Sequence, residues 1–154
     1  MNDSFHAQIQ WSRDSDTPLE RFSRDHKISF PGKISLDASS APGYKGNAAF
    51  VNPEELFVSS IASCQMLTYV YLCSRNKMDI ISYKDEAEGF LGKNEHGAIF
   101  VEKVQLRPRI TFENAESQQT RAMAIRLIHE AHEGCFVSNS AKSIVDIEPG
   151  FIFV

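Results

Sequence analysis

Apolar and polar residues alternate with a period of two along several stretches of the chain, a pattern typical of strands with one buried face. The first stretch is 5–11, where every second residue is apolar, and it predicts a strand. In residues 28–36 the alternation is interrupted by Pro31 and Gly32. Proline presets φ and glycine accepts a positive φ, so this pair suits the centre of a type II turn. Residues 28–36 are therefore predicted to form a hairpin.

A helical pattern begins at Asn52. Asn52 can cap a helix, Pro53 fits its first turn, and Glu54 and Glu55 place negative charge at the positive end of the helix dipole. Compensation of the dipole accounts for one of these two carboxylates but not for both. From Leu56 to Leu72 apolar residues fall on nearly every side of the helix. The helix is therefore expected to be central and covered all round.

The second half of the chain predicts strands and one further helix. Extended segments are predicted at 82–90 and 98–112, and Pro108 indicates that the second of them lies partly at a sheet edge. A final strand is predicted at 144–154, bent by Pro149 and Gly150.

The further helix is predicted from about residue 115 to Glu133, with Gly134 as its stop. Its inward-facing residues are expected to be Ala122, Ile125, Leu127, Ile128 and Ala131. The order of elements is strands, helix, hairpin, helix, strand, which indicates an α+β protein without a repeated βαβ unit.

Composition and charge narrow the classes of function. The chain has 154 residues, of which 42% are hydrophobic and 23% are charged, as in ordinary globular proteins. This length predicts a single domain, 1–154. The formal net charge is -4 and there is no basic stripe, so nucleic acid is excluded as a partner.

Neither an export signal nor a membrane span is expected. The opening residues, MNDSFHAQIQWSRDSD, have neither the basic start nor the apolar run of a secretion signal. The apolar stretch 59–76 is interrupted by serine, glutamine and threonine, so no run is expected to approach the roughly 18 to 20 residues that cross a bilayer. We therefore expect a cytoplasmic protein that does not bind membranes.

The chain has three cysteines, an odd number that favours free, metal-bound or catalytic thiols over a secreted disulfide framework. Cys64 and Cys73 are nine residues apart (73 minus 64), on opposite faces of the predicted helix and about 13 Å apart along it. They are too far apart for a disulfide, so a partner for Cys64 within this chain must be Cys135. Cys73 is interpreted as a small buried hydrophobe.

Cys64 follows small residues that leave room for a substrate, and Cys135 lies at a junction where a resolving thiol can move. A reactive cysteine needs a positive charge or a base nearby, because an unperturbed thiol is only a few per cent ionised at neutral pH. The candidates for that group are Arg21, Arg24, Arg75, His129 and His132.

Two other chemistries fit the same residues. His129, His132 and Cys135 follow one another at intervals of three and can supply a zinc site with a fourth ligand from elsewhere, although zincins space their histidines by four. A cysteine hydrolase is the other alternative, with Cys64 as nucleophile and one of these histidines as base. The sequence contains no oxyanion-hole motif to support it.

The motif NPEELFVSSIASC, followed about 70 residues later by HEGCFVSNS, resembles the OsmC/Ohr family of organic hydroperoxide reductases. The segments SRDHKISFPGKISLDASS and RPRITF stand in the order expected for that family, so the resemblance covers most of the chain. It implies an OsmC-like α+β fold, with antiparallel strands around a buried central helix, and an intertwined homodimer.

The resemblance also implies site residues. Cys64 corresponds to the peroxidatic cysteine and Cys135 to the resolving cysteine, whereas Cys73 has no family role. Arg24, in the motif SRDHKIS, corresponds to the active-site arginine, with Arg21 as the alternative. Glu54 rather than Glu55 corresponds to the glutamate that opens the central helix and holds this arginine.

Helix geometry places a condition on these residues. Glu54 precedes Cys64 by ten residues (64 minus 54), about 15 Å along a helix, which is too far for both to contact one arginine directly. Either Arg24 bridges a bend, or Glu54 comes from a second subunit across a two-fold axis. The second arrangement agrees with the homodimer that the resemblance implies.

The resemblance therefore implies a thiol peroxidase that needs no cofactor or metal and reduces organic hydroperoxides through a Cys64 sulfenic acid and a Cys64–Cys135 disulfide. An external dithiol, of the dihydrolipoyl type, would reduce the disulfide. The chain departs from the pattern in having Phe136, where members specialised for organic hydroperoxides often have proline, and in a longer segment from Arg13 to Phe22. The alternative function is a non-catalytic OsmC-like dimeric module that binds a small ligand or a metal.

Overall fold

A computed structural model describes residues 3–154, which contain nine strands and three α-helices. The predicted α+β class is confirmed. The chain forms two compact units, one ending at Leu56 and one spanning Phe57–Val154. Helix α1 (Pro53–Arg75) begins in the first unit and continues through the second. The single domain 1–154 stays a prediction.

The first unit contains an antiparallel sheet in the order β1 (Gln8–Gln10), β2 (His26–Ser29), β3 (Ser35–Ala38). The predicted hairpin is confirmed between β2 and β3. Its turn is closed by the Lys33 N–H, which donates to the Phe30 carbonyl at 2.9 Å. Gly32 has a φ of 73°, the left-handed value that the third residue of a type II turn requires.

The second unit contains two three-stranded sheets. One has the order β4 (Ile80–Lys84), β7 (Arg109–Phe112), β9 (Gly150–Phe153), and the other the order β5 (Glu88–Lys93), β6 (Ile99–Leu106), β8 (Ile144–Ile147). Each of the three predicted extended segments is divided between the two sheets. The pairs β4–β7 and β5–β6 are antiparallel, whereas β6–β8 and β7–β9 are parallel.

Pro108 is not at a sheet edge, so that prediction is wrong. It lies between β6 and β7, each of which is the central strand of its sheet. A residue between two strands needs no ladder N–H, which proline lacks. The Pro108 carbonyl accepts the Gly150 N–H at 2.8 Å, at the point where β9 begins.

Helix α2 (Gln118–Glu133) packs into the core of the second unit together with the middle and end of α1. The predicted stop at Gly134 is confirmed, and Ser117 caps the other end of α2 through a capping box with Thr120. The predicted inward face is shifted: Ala122 and Ile125 are exposed, and Ala124 is buried with Leu127, Ile128 and Ala131.

Cys73 is completely buried in this core. Burial raises the pKa of its thiol to about 11, which keeps the thiol protonated near neutral pH. The interpretation of Cys73 as a small buried hydrophobe agrees with both observations.

Helix α1 is not covered all round within one chain. Val58, Ile61 and Tyr69 are buried, whereas Leu67 and Tyr71 are each 62% exposed. The helix is also long and apolar enough to cross a membrane. An 18-residue stretch of it has a mean hydropathy of 1.5, and 22% of that stretch is buried. The expectation that no segment approaches this length and apolarity is therefore wrong, because scattered hydroxyl residues lower the mean hydropathy only slightly. A core helix of a soluble protein meets the same criterion.

Candidate active site

The structure brings Cys64 and Cys135 close enough together in the second unit for Cys135 to raise the pKa of the Cys64 thiol. Cys64 lies in the middle of α1, and Cys135 lies between α2 and α3 (Phe136–Asn139). Both are free thiols; Cys64 is half-buried and Cys135 is completely buried. Gly134, at the end of α2, lies next to Thr68 of α1, and a Cβ at this position would make an ordinary van der Waals contact of 3.4 Å with Thr68 Cγ2.

The first turn of α3 lies beside these two sulfur atoms. The backbone N–H groups of Phe136 and Val137 act to lower the pKa of the Cys64 thiol. The Ser138 N–H donates to Cys135 Sγ at 3.4 Å, and the Ser138 hydroxyl donates to the same atom at 3.1 Å. The same short turn of backbone therefore affects both thiols.

Cys135 itself is the N-cap of α3. A sulfur atom takes the position that an oxygen of serine, threonine, aspartate or asparagine usually occupies. Ser138 donates both its N–H and its hydroxyl to this cap. Sequence reasoning missed Ser138 as a partner of sulfur, although its spacing of three residues from Cys135 is that of a cap and the residue it holds.

The environment of Cys64 raises the pKa of its thiol. Burial is the largest cause, and the hydrogen bond to Cys135 acts in the same direction because it holds the proton on sulfur. The N–H groups of Val137 and Phe136 act in the opposite direction, since they stabilise the thiolate. Formation of a Cys64 thiolate near neutral pH therefore requires additional positive charge.

Arg24 lies in the first unit, where it lines a cavity of about 600 Å³. Its guanidinium carbon lies 4.6 Å from the centroid of the Phe22 ring, a cation–π distance. Trp11 meets Phe22 edge to face at 6.2 Å and donates its indole N–H to the Ser23 carbonyl at 2.7 Å. The other main contributors to the cavity wall are Ile9, His26, Ser39 and Pro53.

Arg21 differs from Arg24 in its surroundings. It ends a single 3-10 turn, Leu19–Arg21, is exposed, and does not line this cavity. Arg24 is half-buried. Within residues 3–154, no carboxylate forms an ion pair with Arg24, so its charge is free to bind another group.

The two neighbouring glutamates have different surroundings. Glu55 accepts the Asn52 N–H at 2.9 Å, and Asn52 accepts the Glu55 N–H at 2.9 Å, so these residues cap α1 reciprocally. Glu54 is half-buried, and in the part of the chain that the structure describes it forms no ion pair with Arg24. The cap therefore uses Glu55, whereas Glu54 is the glutamate predicted for the site.

The arrangement of the residues gives less support to a zinc site or to a cysteine hydrolase. His129 is exposed and His132 is half-buried, with a buried Nδ1 that has no hydrogen-bond partner among the described residues. From residue 3 to residue 154, no group of three or more histidine, cysteine, aspartate or glutamate side chains is arranged to hold a metal ion. Among residues 3–154, the groups that affect the pKa of Cys64 are Cys135, Phe136 and Val137, and none of them is a histidine.

Comparison with known proteins finds relatives in sequence and in fold. A curated relative, the uncharacterized protein YmaD of Bacillus subtilis, is 24% identical over 117 residues, which are 76% of this chain and 77% of YmaD. The structure of an OsmC-like protein of unknown function from Vibrio cholerae has 32% sequence identity and a TM-score of 0.88, and covers 96% of this chain and 99% of its own.

Two solved structures with lower identity share the fold. The organic hydroperoxide resistance protein of Elizabethkingia anophelis has 18% identity and a TM-score of 0.73, covering 100% of this chain and 99% of its own. OhrB of Bacillus subtilis has 22% identity and a TM-score of 0.60, covering 96% and 98%. A family model described as OsmC-like protein matches residues 46–149, a range that includes Glu54, Cys64 and Cys135. The chain belongs to the OsmC-like protein family.

Proposed function

We propose that the protein is a two-cysteine thiol peroxidase that reduces organic hydroperoxides to alcohols. The observation that carries the proposal is the proximity of two free thiols, a half-buried Cys64 and a completely buried Cys135. The names of the structural neighbours from Elizabethkingia anophelis and Bacillus subtilis, both organic hydroperoxide resistance proteins, support the same class of substrate.

The positions of the two sulfur atoms support the following reaction. The Cys64 thiolate attacks the terminal oxygen of the hydroperoxide, an S–O bond forms while the O–O bond breaks, and the alkoxide that leaves takes up a proton to become the alcohol. Cys64 is then a sulfenic acid. The Cys135 thiolate attacks the Cys64 sulfur, the S–S bond forms, and the hydroxyl group leaves as water. An external dithiol, of the dihydrolipoyl type, reduces the disulfide to two thiols and is itself oxidised.

The remaining site residues have roles in the same proposal. Arg24 supplies positive charge that offsets the effect of burial on Cys64 and orients the peroxide. Glu54 of a second subunit holds this guanidinium, and the homodimer covers the exposed side of α1 around Leu67 and Tyr71. The cytoplasmic location stays a prediction.

Thiol titration after one equivalent of an alkyl hydroperoxide tests the function. Wild-type protein should lose two of its three thiols per chain, and Cys64→Ser should lose none. Cys73→Ser is the matched control, because it should lose both of its remaining thiols. Cys135→Ser should stop turnover and still undergo the first oxidation, which a sulfenic acid trap detects. A wild-type protein that retains all three thiols would contradict the proposal.

The cavity favours one second candidate, a non-catalytic module that binds a small ligand. Trp11 is the single tryptophan of the chain and lies in the cavity wall, so its fluorescence reports a bound molecule. A change in fluorescence on adding an alkyl alcohol, together with no loss of thiols on adding the matching hydroperoxide, would favour this candidate. Loss of two thiols would favour the peroxidase.

A further inference from the structure

The hydroxyl groups of Ser138 and Ser140 donate hydrogen bonds to different kinds of acceptor. Ser138 is half-buried, and its hydroxyl donates to Cys135 Sγ at 3.1 Å while its N–H donates to the same atom at 3.4 Å. Ser140 is exposed, and its hydroxyl donates to the Phe136 carbonyl at 2.9 Å. The sulfur of Cys135 therefore has two donors from one residue.

The burial of the two cysteines indicates which sulfur an external dithiol would attack. Thiol–disulfide exchange requires an incoming thiolate to approach one sulfur while the other leaves. Cys135 is completely buried, whereas Cys64 is half-buried. Attack is therefore expected at Cys64, and Cys135 is the leaving group.

A leaving thiolate needs hydrogen-bond donors more than a disulfide sulfur does. Hydrogen bonds to an ionised acceptor are about twice as strong as neutral ones. The donors on Cys135 therefore gain strength as negative charge develops there during reduction. We propose that Ser138 is a positioning residue that stabilises the departing Cys135 thiolate when a dithiol reduces the Cys64–Cys135 disulfide.

One thiolate of the dithiol forms an S–S bond to Cys64, the Cys64–Cys135 bond breaks, and its electron pair leaves on Cys135, where Ser138 donates two hydrogen bonds. The second thiol of the reductant then displaces Cys64 from the mixed disulfide, which oxidises the dithiol to a cyclic disulfide. The inference rests on the proposed function because it requires this disulfide, but it does not require a peroxide.

Reduction of a chemically formed disulfide tests the proposal. Wild-type, Ser138→Ala and Ser140→Ala proteins are oxidised with diamide, the Cys64–Cys135 link is confirmed by peptide mapping, and reduction by dithiothreitol is followed at pH 7. Ser138→Ala should be reduced roughly tenfold more slowly, near the lower end of the effect of one hydrogen bond to a charged group. Ser140→Ala should match the wild type, and Ser138→Thr should restore most of the rate.

A second measurement separates stabilisation of the thiolate from a structural effect. At pH 9, where a larger share of the thiols is ionised, the equilibrium of Ser138→Ala with dithiothreitol should shift towards the disulfide by up to about tenfold, or about 30 mV. Ser138→Gly removes the same hydroxyl and replaces Ser138→Ala if that variant does not fold.

The outcomes distinguish the two proposals. Equal rates for wild type and Ser138→Ala, or an equal loss in Ser140→Ala, would overturn the role of Ser138. Failure of diamide to link Cys64 to Cys135 would overturn it as well. A disulfide that forms with diamide but not with an alkyl hydroperoxide would overturn only the proposed peroxidase function.

Discussion

The thiol of Cys64 is held against the thiol of Cys135, and this contact joins the middle of helix α1 to the start of helix α3. The contact is asymmetric, because Cys64 is half-buried and Cys135 is completely buried. The hydrogen bond between them holds a proton on Cys64 and raises the pKa of its thiol, in addition to the larger effect of burial. Cys135 therefore affects the reactivity of Cys64 before any oxidation takes place.

The variant Cys135→Ala should make Cys64 more acidic. A raised pKa means that alkylation of Cys64 by iodoacetamide increases with pH through a midpoint above the ordinary value. Removing Cys135 removes a hydrogen bond that favours the protonated form, so the midpoint should move to lower pH and the rate at pH 8 should increase. Mass spectrometry of the Cys64 peptide gives the rate. Ser140→Ala is the control, and an unchanged or higher midpoint in Cys135→Ala would contradict the prediction.

Arg24→Gln should slow the oxidation of Cys64 by an alkyl hydroperoxide about 10-fold to 100-fold, the effect of losing a positive charge that lowers a thiol pKa by one to two units. Arg21→Gln is the matched control, because Arg21 is exposed and lies outside the cavity wall. Stopped-flow measurement of the first oxidation, in a Cys135→Ser background, gives the rate constants. Equal losses in the two variants would show that general surface charge, rather than Arg24, is responsible.

Glu55 should affect the stability of the protein, whereas Glu54 should affect the rate of the first oxidation. Glu55→Ala removes the reciprocal cap with Asn52 and should lower the free energy of unfolding by about 1 kcal/mol, with little effect on the first oxidation. Glu54→Ala should change stability by less than about 0.5 kcal/mol and should slow the oxidation. Urea unfolding and peroxide kinetics measure the two effects. The reverse assignment would place Glu55, not Glu54, in the site.

Local signals in the sequence predicted the features that depend on a few neighbouring residues. The turn at Pro31 and Gly32, the cap at Asn52 and the end of α2 at Gly134 are examples, because each depends on backbone geometry within one turn. The division of each long extended segment between two sheets was not predictable from alternation. A period of two indicates which residues share a face, but it does not indicate which strand lies alongside.

In the candidate site, too, local features were predictable from the sequence and tertiary contacts were not. The pairing of Cys64 with Cys135 was implied by family resemblance, and the buried environment of Cys73 followed from its position in an apolar helix. The donors on the two sulfur atoms were missed because they depend on how α3 lies against α1, which is a matter of tertiary structure. The sequence alone therefore does not identify Ser138 as a partner of sulfur.

Helix α1 provides the test of the predicted homodimer. Leu67 and Tyr71 are one turn apart on its surface and each is 62% exposed, an arrangement that a partner helix would cover. Leu67→Asp should therefore convert a dimer into a monomer in sedimentation equilibrium and should also slow the first oxidation if Glu54 acts across the interface. Ile125→Asp is the matched control, because Ile125 is an exposed apolar residue on helix α2, at 43%. A wild-type protein that sediments as a monomer would contradict the homodimer. A Leu67→Asp monomer with wild-type oxidation kinetics would instead place Glu54 in the site of its own subunit.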